Sequence, residues 1–78
     1  MELKQLEYIV KIAEEKSITR AAEKLFLTQS ALNQQLLRLE KDLGVRLFKR
    51  TKSDWSPTPA GQIYLDGAKE ILSIKRRT

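Results

Sequence analysis

The chain has 78 residues, with 15 lysine and arginine residues against 10 aspartate and glutamate residues, and it has no histidine and no cysteine. This length predicts one small domain, and the missing residue types exclude disulfides, thiolate or imidazole metal sites, and catalysis by a nucleophile–histidine pair. The net charge of +5 favours an anionic partner. No stretch has the length and apolarity of a membrane helix, so we expect a cytoplasmic protein without a membrane partner. Because histidine and cysteine ligands are missing, we also expect no cofactor.

The first half of the chain begins with two predicted helices. Apolar residues spaced three and four apart predict a helix over residues 2–15 and a short second helix that ends near Leu25. Ser17 lies where the second helix begins, and its hydroxyl can accept a hydrogen bond from a free backbone N–H group. Ala21 and Ala22 are small, as is needed where two helices cross closely.

A third helix is predicted to follow Thr28, a second hydroxyl cap, and to end before Gly44. Its core stripe is formed by four leucines, Leu32, Leu36, Leu39 and Leu43. The other face and its flank carry small polar residues, Gln29, Ser30, Asn33 and Gln34. A short helix followed by a second helix with a polar start is typical of the helix-turn-helix arrangement that enters the major groove. Amide side chains can donate and accept together, which matches the edge of adenine.

After Gly44 the sequence predicts a small two-stranded hairpin. Within seven residues it carries four basic side chains, Arg46, Lys49, Arg50 and Lys52. This density favours contact with phosphates or a minor groove over an ordinary charged surface. We expect Trp55 to pack against the hairpin rather than to stack on a nucleobase.

A fourth helix is predicted to begin at Thr58-Pro59 and to continue to about Arg77. Its apolar face is formed by Tyr64, Leu65, Ala68, Ile71 and Leu72. An isolated helix cannot shield such a face from water. The face therefore either packs within the chain or pairs with a second copy, and both alternatives are open at this point.

Other assignments also have alternatives. Arg38 fits an ion pair with Asp42 as well as a DNA contact, and Leu37 fits an exposed position as well as contact with a thymine methyl group. A polar helix face can also be merely solvated. A second class of function is a winged-helix adaptor that binds an acidic protein. An enzyme is a distant third, because the only candidate acids, such as Glu14 and Glu15, lie on diverging helix faces.

The segments AAEKL, TQSAL, RLEKDLG, RLFKRT and TPAG, in this order and spacing, resemble the N-terminal DNA-binding domain of LysR-type transcriptional regulators. The resemblance covers nearly the whole chain. It implies a mainly α winged helix-turn-helix domain at residues 1–57, with a three-helix core and a two-stranded β wing, and a linker and dimerisation helix at residues 58–78. It further implies a nucleoid-associated homodimer on an interrupted dyad site of double-stranded DNA, with a tetramer as an option for a full-length protein.

In this family an effector binds a large C-terminal domain that the chain lacks, so we expect the chain to be a fragment. The resemblance implies DNA contacts from the third helix and the wing, at Thr28, Gln29, Ser30, Asn33, Gln34, Arg38, Lys49, Arg50, Lys52 and Ser53. The positions of Asn33 and Gln34 commonly hold serine and arginine in this family, so groove readout here would rely on amides. Pro57 replaces a usual leucine and predicts a short second strand.

Overall fold

The computed structural model describes residues 2–51 and 54–77. In that part of the chain it has four helices, α1 (Leu3–Glu15), α2 (Ile18–Leu25), α3 (Gln29–Leu43) and α4 (Pro59–Arg77), and two strands, β1 (Phe48–Arg50) and β2 (Trp55–Pro57). The predicted fold class is confirmed: three helices, a two-stranded antiparallel wing and a long fourth helix. Among the described helices, none combines the length and apolarity needed to cross a membrane.

Two of the helix starts are closed by the hydroxyl caps that the sequence predicts. The Ser17 side chain accepts a hydrogen bond from the Arg20 backbone N–H at 3.1 Å. The Thr28 side chain accepts one from the Ala31 N–H at 3.0 Å. Each cap satisfies a backbone donor that has no partner within its helix. The caps therefore fix where α2 and α3 begin.

The first three helices all end on a residue in the left-handed conformation. Gly44 follows α3 with φ 74°, as its sequence position predicts. Lys16 and Phe26 end α1 and α2 with φ 54° and 59°, although neither is glycine. Such a conformation costs a residue with a side chain roughly 1–2 kcal/mol. The short connections between the helices impose it, and this was not apparent from the sequence.

Helix α1 lies at the centre of the fold and packs against α2, α3, β2 and α4. Most of the predicted stripe residues are buried, including three of the four leucines of α3, but Leu43 is 47% exposed and its predicted place in the core is wrong. Its spacing puts it on the correct face of α3. Burial also requires a neighbouring element, and spacing does not specify one.

The wing is a short hairpin attached to the end of α1. Strands β1 and β2 pair Phe48 with Pro57, so the second strand is as short as Pro57 predicts. The Trp55 ring packs 6.0 Å from the Phe48 ring, and its backbone N–H donates to the Lys16 carbonyl oxygen at 3.3 Å. Trp55 is therefore a packing residue, as expected.

Helix α4 covers α1 with much of its apolar face. Leu65, Ala68 and Leu72 are at most 5% exposed and belong to the core of their own chain. They therefore pack within their own chain, which for these three residues is the first of the two alternatives that the sequence leaves open. The apolar face of α1 required a cover, and α4 supplies it. Ile71 remains 39% exposed. Tyr64 is half-buried, and burial raises the pKa of its hydroxyl.

Candidate nucleic-acid interface

The amino-terminal end of α3 is open to solvent. Gln29, Ser30 and Gln34 are exposed and Asn33 is half-exposed, while the core face of the same helix is fully buried at Leu32 and Leu36. Within residues 2–51 and 54–77, neither the wing nor α4 buries these side chains. A helix with one buried face and a polar, exposed start can be inserted into a groove without unfolding any part of the domain.

The first residue of α3 is oriented by α2. The Thr19 hydroxyl donates a hydrogen bond to Oε1 of Gln29 at 3.0 Å. A cleft of about 430 Å³ lies beside this pair, between the start of α2, Gln29 and Trp55. Its cations are Lys16 and Arg20, and the Arg20 guanidinium also donates to the Glu15 carbonyl oxygen at 2.7 Å. The cleft thus combines positive charge with the free N–H groups of a helix start, which favours a phosphate group.

Further along α3, Leu37 and Arg38 are exposed. Among the described residues no ion pair joins Arg38 to Asp42, so the guanidinium is available for a partner outside the chain. Leu37 is 45% exposed beside it. Thr28 is exposed as well, so the exposed face of α3 extends from Thr28 to Arg38.

The basic residues of the wing differ in their surroundings. Arg46 and Lys49 are exposed. Arg50 instead turns inward: its Nη2 atom lies 2.6 Å from Oε1 of Glu40, and only 23% of its side chain is exposed. Arg50 therefore pairs with a carboxylate of its own chain, and its contact with DNA stays a sequence-based prediction. Lys52 and Ser53 lie outside the described residues.

Glu40 was not recognised as important from the sequence. Its side chain is 8% exposed, and besides Arg50 it accepts a hydrogen bond from the Leu47 backbone N–H at 2.8 Å. The Arg50 guanidinium in turn lies 5.2 Å from the centre of the Trp55 ring. A signal was present, because Glu40 follows Leu36 by four residues and so lies on the apolar stripe of α3. This clamp, formed by Glu40, Arg50 and Leu47, connects the wing to α3.

Residues 3–62 match the family model described as "Bacterial regulatory helix-turn-helix protein, lysR family". The chain belongs to this family. The matched segment spans the first three helices, the wing and the start of α4. The resemblance stated from the sequence is thereby confirmed.

Two curated members of the LysR family illustrate the similarity. The chain is 37% identical over 78 residues to the HTH-type transcriptional regulator TfdT of Cupriavidus pinatubonensis, covering 100% of this chain and 34% of TfdT. It is 47% identical over 73 residues to the regulator BsdA of Bacillus subtilis, covering 92% of this chain and 25% of BsdA. The chain therefore spans about a quarter to a third of the length of these relatives.

Solved structures of the LysR family share the fold. The BenM DBD in its benA site 1 DNA complex superposes with a TM-score of 0.93 at 38% identity, over 99% of this chain and 86% of that one. The CbnR DBD in its DNA complex gives a TM-score of 0.90 at 36% identity, over 99% and 88% of the two chains. Both neighbours are complexes with DNA.

Proposed function

We propose that this chain is the DNA-binding domain of a LysR-type transcriptional regulator and binds double-stranded DNA with sequence preference. The start of α3 enters the major groove and the wing contacts the sugar-phosphate backbone or the adjacent minor groove. The observation that carries the proposal is the open, polar start of α3, with Gln29, Ser30 and Gln34 exposed above a fully buried core face.

Base contacts follow from the chemistry of this surface. Gln29, Asn33 and Gln34 are amides, and each can pair with a purine edge in the major groove. Thr28 and Ser30 offer hydroxyls at the helix start, close to backbone N–H groups that favour phosphate. Arg38 continues the same surface. The solved DNA complexes of similar chains support this placement.

Contacts with the DNA backbone are expected from the positive charge of the wing and of the whole chain. Arg46 and Lys49 are exposed on the wing, and Lys52 and Ser53 stay sequence-based predictions for the same role. The net charge of +5 adds a long-range attraction for DNA. Phosphate contacts fix the position of the domain, whereas base contacts select the sequence.

A salt titration on duplex DNA tests the proposal. The logarithm of the binding constant should fall linearly with the logarithm of the salt concentration, with a slope of about −0.9 for each phosphate neutralised. A selection from random duplexes should then return a preferred sequence. A response to salt that is flat on all duplexes would instead favour the alternative, an adaptor that binds an acidic protein.

Replacing Asn33 by alanine is expected to weaken binding to the selected site by about 1–3 kcal/mol and to leave binding to random DNA nearly unchanged. The reason is that Asn33 would read a base edge. Binding constants measured by fluorescence anisotropy on both duplexes check this. Lys49→Gln is the matched variant for a phosphate contact. It should weaken binding to both duplexes equally and reduce the slope of the salt dependence by about one. Equal losses on both duplexes for Asn33→Ala would contradict base readout by this residue.

Pairing of two copies would use a narrower surface of α4 than its sequence predicted. Leu65, Ala68 and Leu72 are enclosed in the core, but Ile63, Ile71 and Ile74 are 75%, 39% and 62% exposed. At their spacing these three isoleucines lie on one side of α4, next to the half-buried Tyr64. A second copy of α4 would shield this isoleucine stripe from water and would place two α3 helices on a dyad site.

Ile63→Glu is expected to raise the dimer dissociation constant at least about tenfold, because it places an unpaired charge in the isoleucine stripe. Sedimentation equilibrium in the absence of DNA measures this constant. Leu37→Glu is the matched control, since it makes the same kind of change at an exposed leucine of α3. An unchanged monomer–dimer equilibrium for Ile63→Glu would remove the isoleucine stripe from the interface.

The role of the whole protein is also part of the proposal. As a regulator it would act on chromosomal DNA in the bacterial cytoplasm, in association with the nucleoid, and it would control transcription rather than catalyse a reaction. A small-molecule effector would act through a C-terminal domain outside this chain, by changing the separation of the two DNA-binding heads. Higher oligomers, such as a tetramer, would form only with that domain.

A further inference from the structure

Leu37 is an apolar residue on the polar side of α3, and it is 45% exposed. It follows Asn33 by four residues and Gln34 by three, and residues at these spacings lie on the same side of a helix. Leu32 and Leu36, by contrast, are fully buried on the core side. Among the described residues Leu37 belongs neither to the core nor to the side chains packed against it. Its apolar character is therefore not explained by the packing of the domain.

The place of Leu37 along α3 is within the part of the helix that would lie in the groove. A recognition helix can read the major groove from one residue together with those three, four and seven positions after it. Counted from the exposed Ser30, these positions hold Asn33, Gln34 and Leu37. The rise of the helix from Ser30 to Leu37 is about 10 Å, the length of about three base pairs.

An apolar side chain at this place can distinguish between bases. Thymine carries its C5 methyl group on the major-groove edge, whereas the other three bases present hydrogen-bond donors and acceptors there. A leucine removes water from those polar groups and offers them no partner, which weakens binding. Contact with the thymine methyl group instead buries apolar surface on both sides, which strengthens it.

We propose that Leu37 is a specificity-determining residue that selects thymine, through contact of its side chain with the C5 methyl group of that base. The inference rests on the proposed function, in which α3 enters the major groove. Asn33 and Gln34 lie one turn earlier and read neighbouring bases through hydrogen bonds. Leu37 adds an apolar contact to this polar surface.

Replacement of single thymines by deoxyuridine tests the contact, because deoxyuridine lacks only the C5 methyl group. A selection from random duplexes first defines the preferred site, and each of its thymines is then replaced in turn. Dissociation constants are measured by fluorescence anisotropy. At one thymine position the replacement should weaken wild-type binding about fourfold, the factor for burial of one methyl-sized group. Leu37→Ala should lose the sensitivity at that position and keep it at any other.

A second pair of duplexes adds the methyl group instead of removing it. Cytosine and 5-methylcytosine are placed in turn at the thymine position that the replacements identify, each paired with guanine. The methylated duplex should bind the wild-type chain more tightly, by about the same factor. Leu37→Ala should bind the two duplexes equally. Both pairs of duplexes then report on the methyl group itself rather than on base pairing.

Three controls separate this role from a structural one. Leu43→Ala is the matched variant, since Leu43 is a leucine of the same helix, 47% exposed, but on the core side. It should keep the wild-type response to every deoxyuridine. Leu37→Met keeps an apolar side chain of similar volume and should keep the sensitivity as well. The melting temperature of Leu37→Ala should stay close to that of wild type, because Leu37 lies outside the core.

A Leu37→Ala variant with the wild-type response to every deoxyuridine would overturn the inference. So would a wild-type chain that binds its selected site without sensitivity to any thymine methyl group. In both cases the sequence preference remains, and the proposed function with it. A wild-type chain that prefers no sequence on any duplex would overturn the proposed function, and the inference as well.

Discussion

Replacing Glu40 by alanine is expected to lower the free energy of unfolding by about 3–5 kcal/mol, the range for breaking a buried charge pair by removing one partner. The carboxylate is 8% exposed and binds both the Arg50 guanidinium, at 2.6 Å, and the Leu47 N–H, at 2.8 Å. The variant leaves a cation and a buried backbone donor without a partner. A domain of this size has a total stability of about 4–12 kcal/mol, so the loss is a large part of it. Urea denaturation followed by circular dichroism measures the effect.

Two further variants show whether the cost comes from the clamp. Glu14→Ala removes a carboxylate that pairs with Lys11 at 3.2 Å on the surface, and it should cost less than about 1 kcal/mol. The double variant Glu40→Leu with Arg50→Met removes both charges, and it should cost much less than Glu40→Ala because no charge is left unpaired. A Glu40→Ala variant as stable as Glu14→Ala would contradict the structural role of the clamp.

The clamp also explains how a short hairpin can serve a recognition surface. A two-stranded hairpin is only marginally stable in water by itself. Here Glu40 is a residue of α3, whereas Leu47 precedes β1 and Arg50 ends it, so the same carboxylate fixes the wing relative to the helix that would read the groove. Under the proposed function, weakening the clamp would therefore affect the position of Lys49 as well as stability.

Much of the fold could be predicted from the sequence because its signals are local. The caps Ser17 and Thr28 and the glycine after α3 set helix ends within a few residues, and apolar spacing sets the helices between them. The wing was similarly located by the polar residues 51–54, which separate apolar Leu47 and Phe48 from Trp55. Such signals need only the neighbouring residues, so they survive without knowledge of the tertiary structure.

The pairing of faces could not be predicted in the same way. The spacing of Leu65, Ala68 and Leu72 identifies an apolar face but not its cover, and in the structure α1 covers it. Leu43 shows the converse, since it is on the correct face with 47% of its surface exposed. In both cases burial depends on whether an element distant in the sequence packs over the apolar face.

The candidate site likewise combines features that local sequence predicts with contacts between distant residues that it does not predict. The exposure of Gln29, Ser30 and Gln34 follows from helical spacing, and their contact with DNA stays a prediction. Charge density and the family resemblance predicted a DNA contact for Arg50, but neither shows that its guanidinium also faces the carboxylate of Glu40. Thr19 was missed because a hydrogen bond between residues ten positions apart on two helices leaves no periodic pattern.

Replacing Gly61 by alanine is expected to lower the free energy of unfolding by about 3 kcal/mol, because the domain has no room for a side chain there. A Cβ atom at Gly61 would lie 1.9 Å from the Leu47 carbonyl oxygen, a backbone atom that cannot move aside alone. The same contact region is held by Thr58, whose N–H donates to that oxygen at 3.0 Å and whose hydroxyl accepts from the Gly61 N–H at 3.0 Å. Relief of the clash would therefore pull the start of α4 away from the segment that leads into the wing.

Gly67 provides the matched control in the same helix. A Cβ atom there would meet no atom within 4 Å, so Gly67→Ala should raise the free energy of unfolding by about 0.5–1 kcal/mol through helix propensity alone. Urea denaturation of both variants measures the two opposite changes under identical conditions. If Gly61→Ala also stabilised the chain, the close approach of α4 to Leu47 would not be required for folding, and α4 could be displaced without disturbing the wing. A loss confined to Gly61 means instead that the folded domain requires the start of α4 to lie directly against the Leu47 backbone.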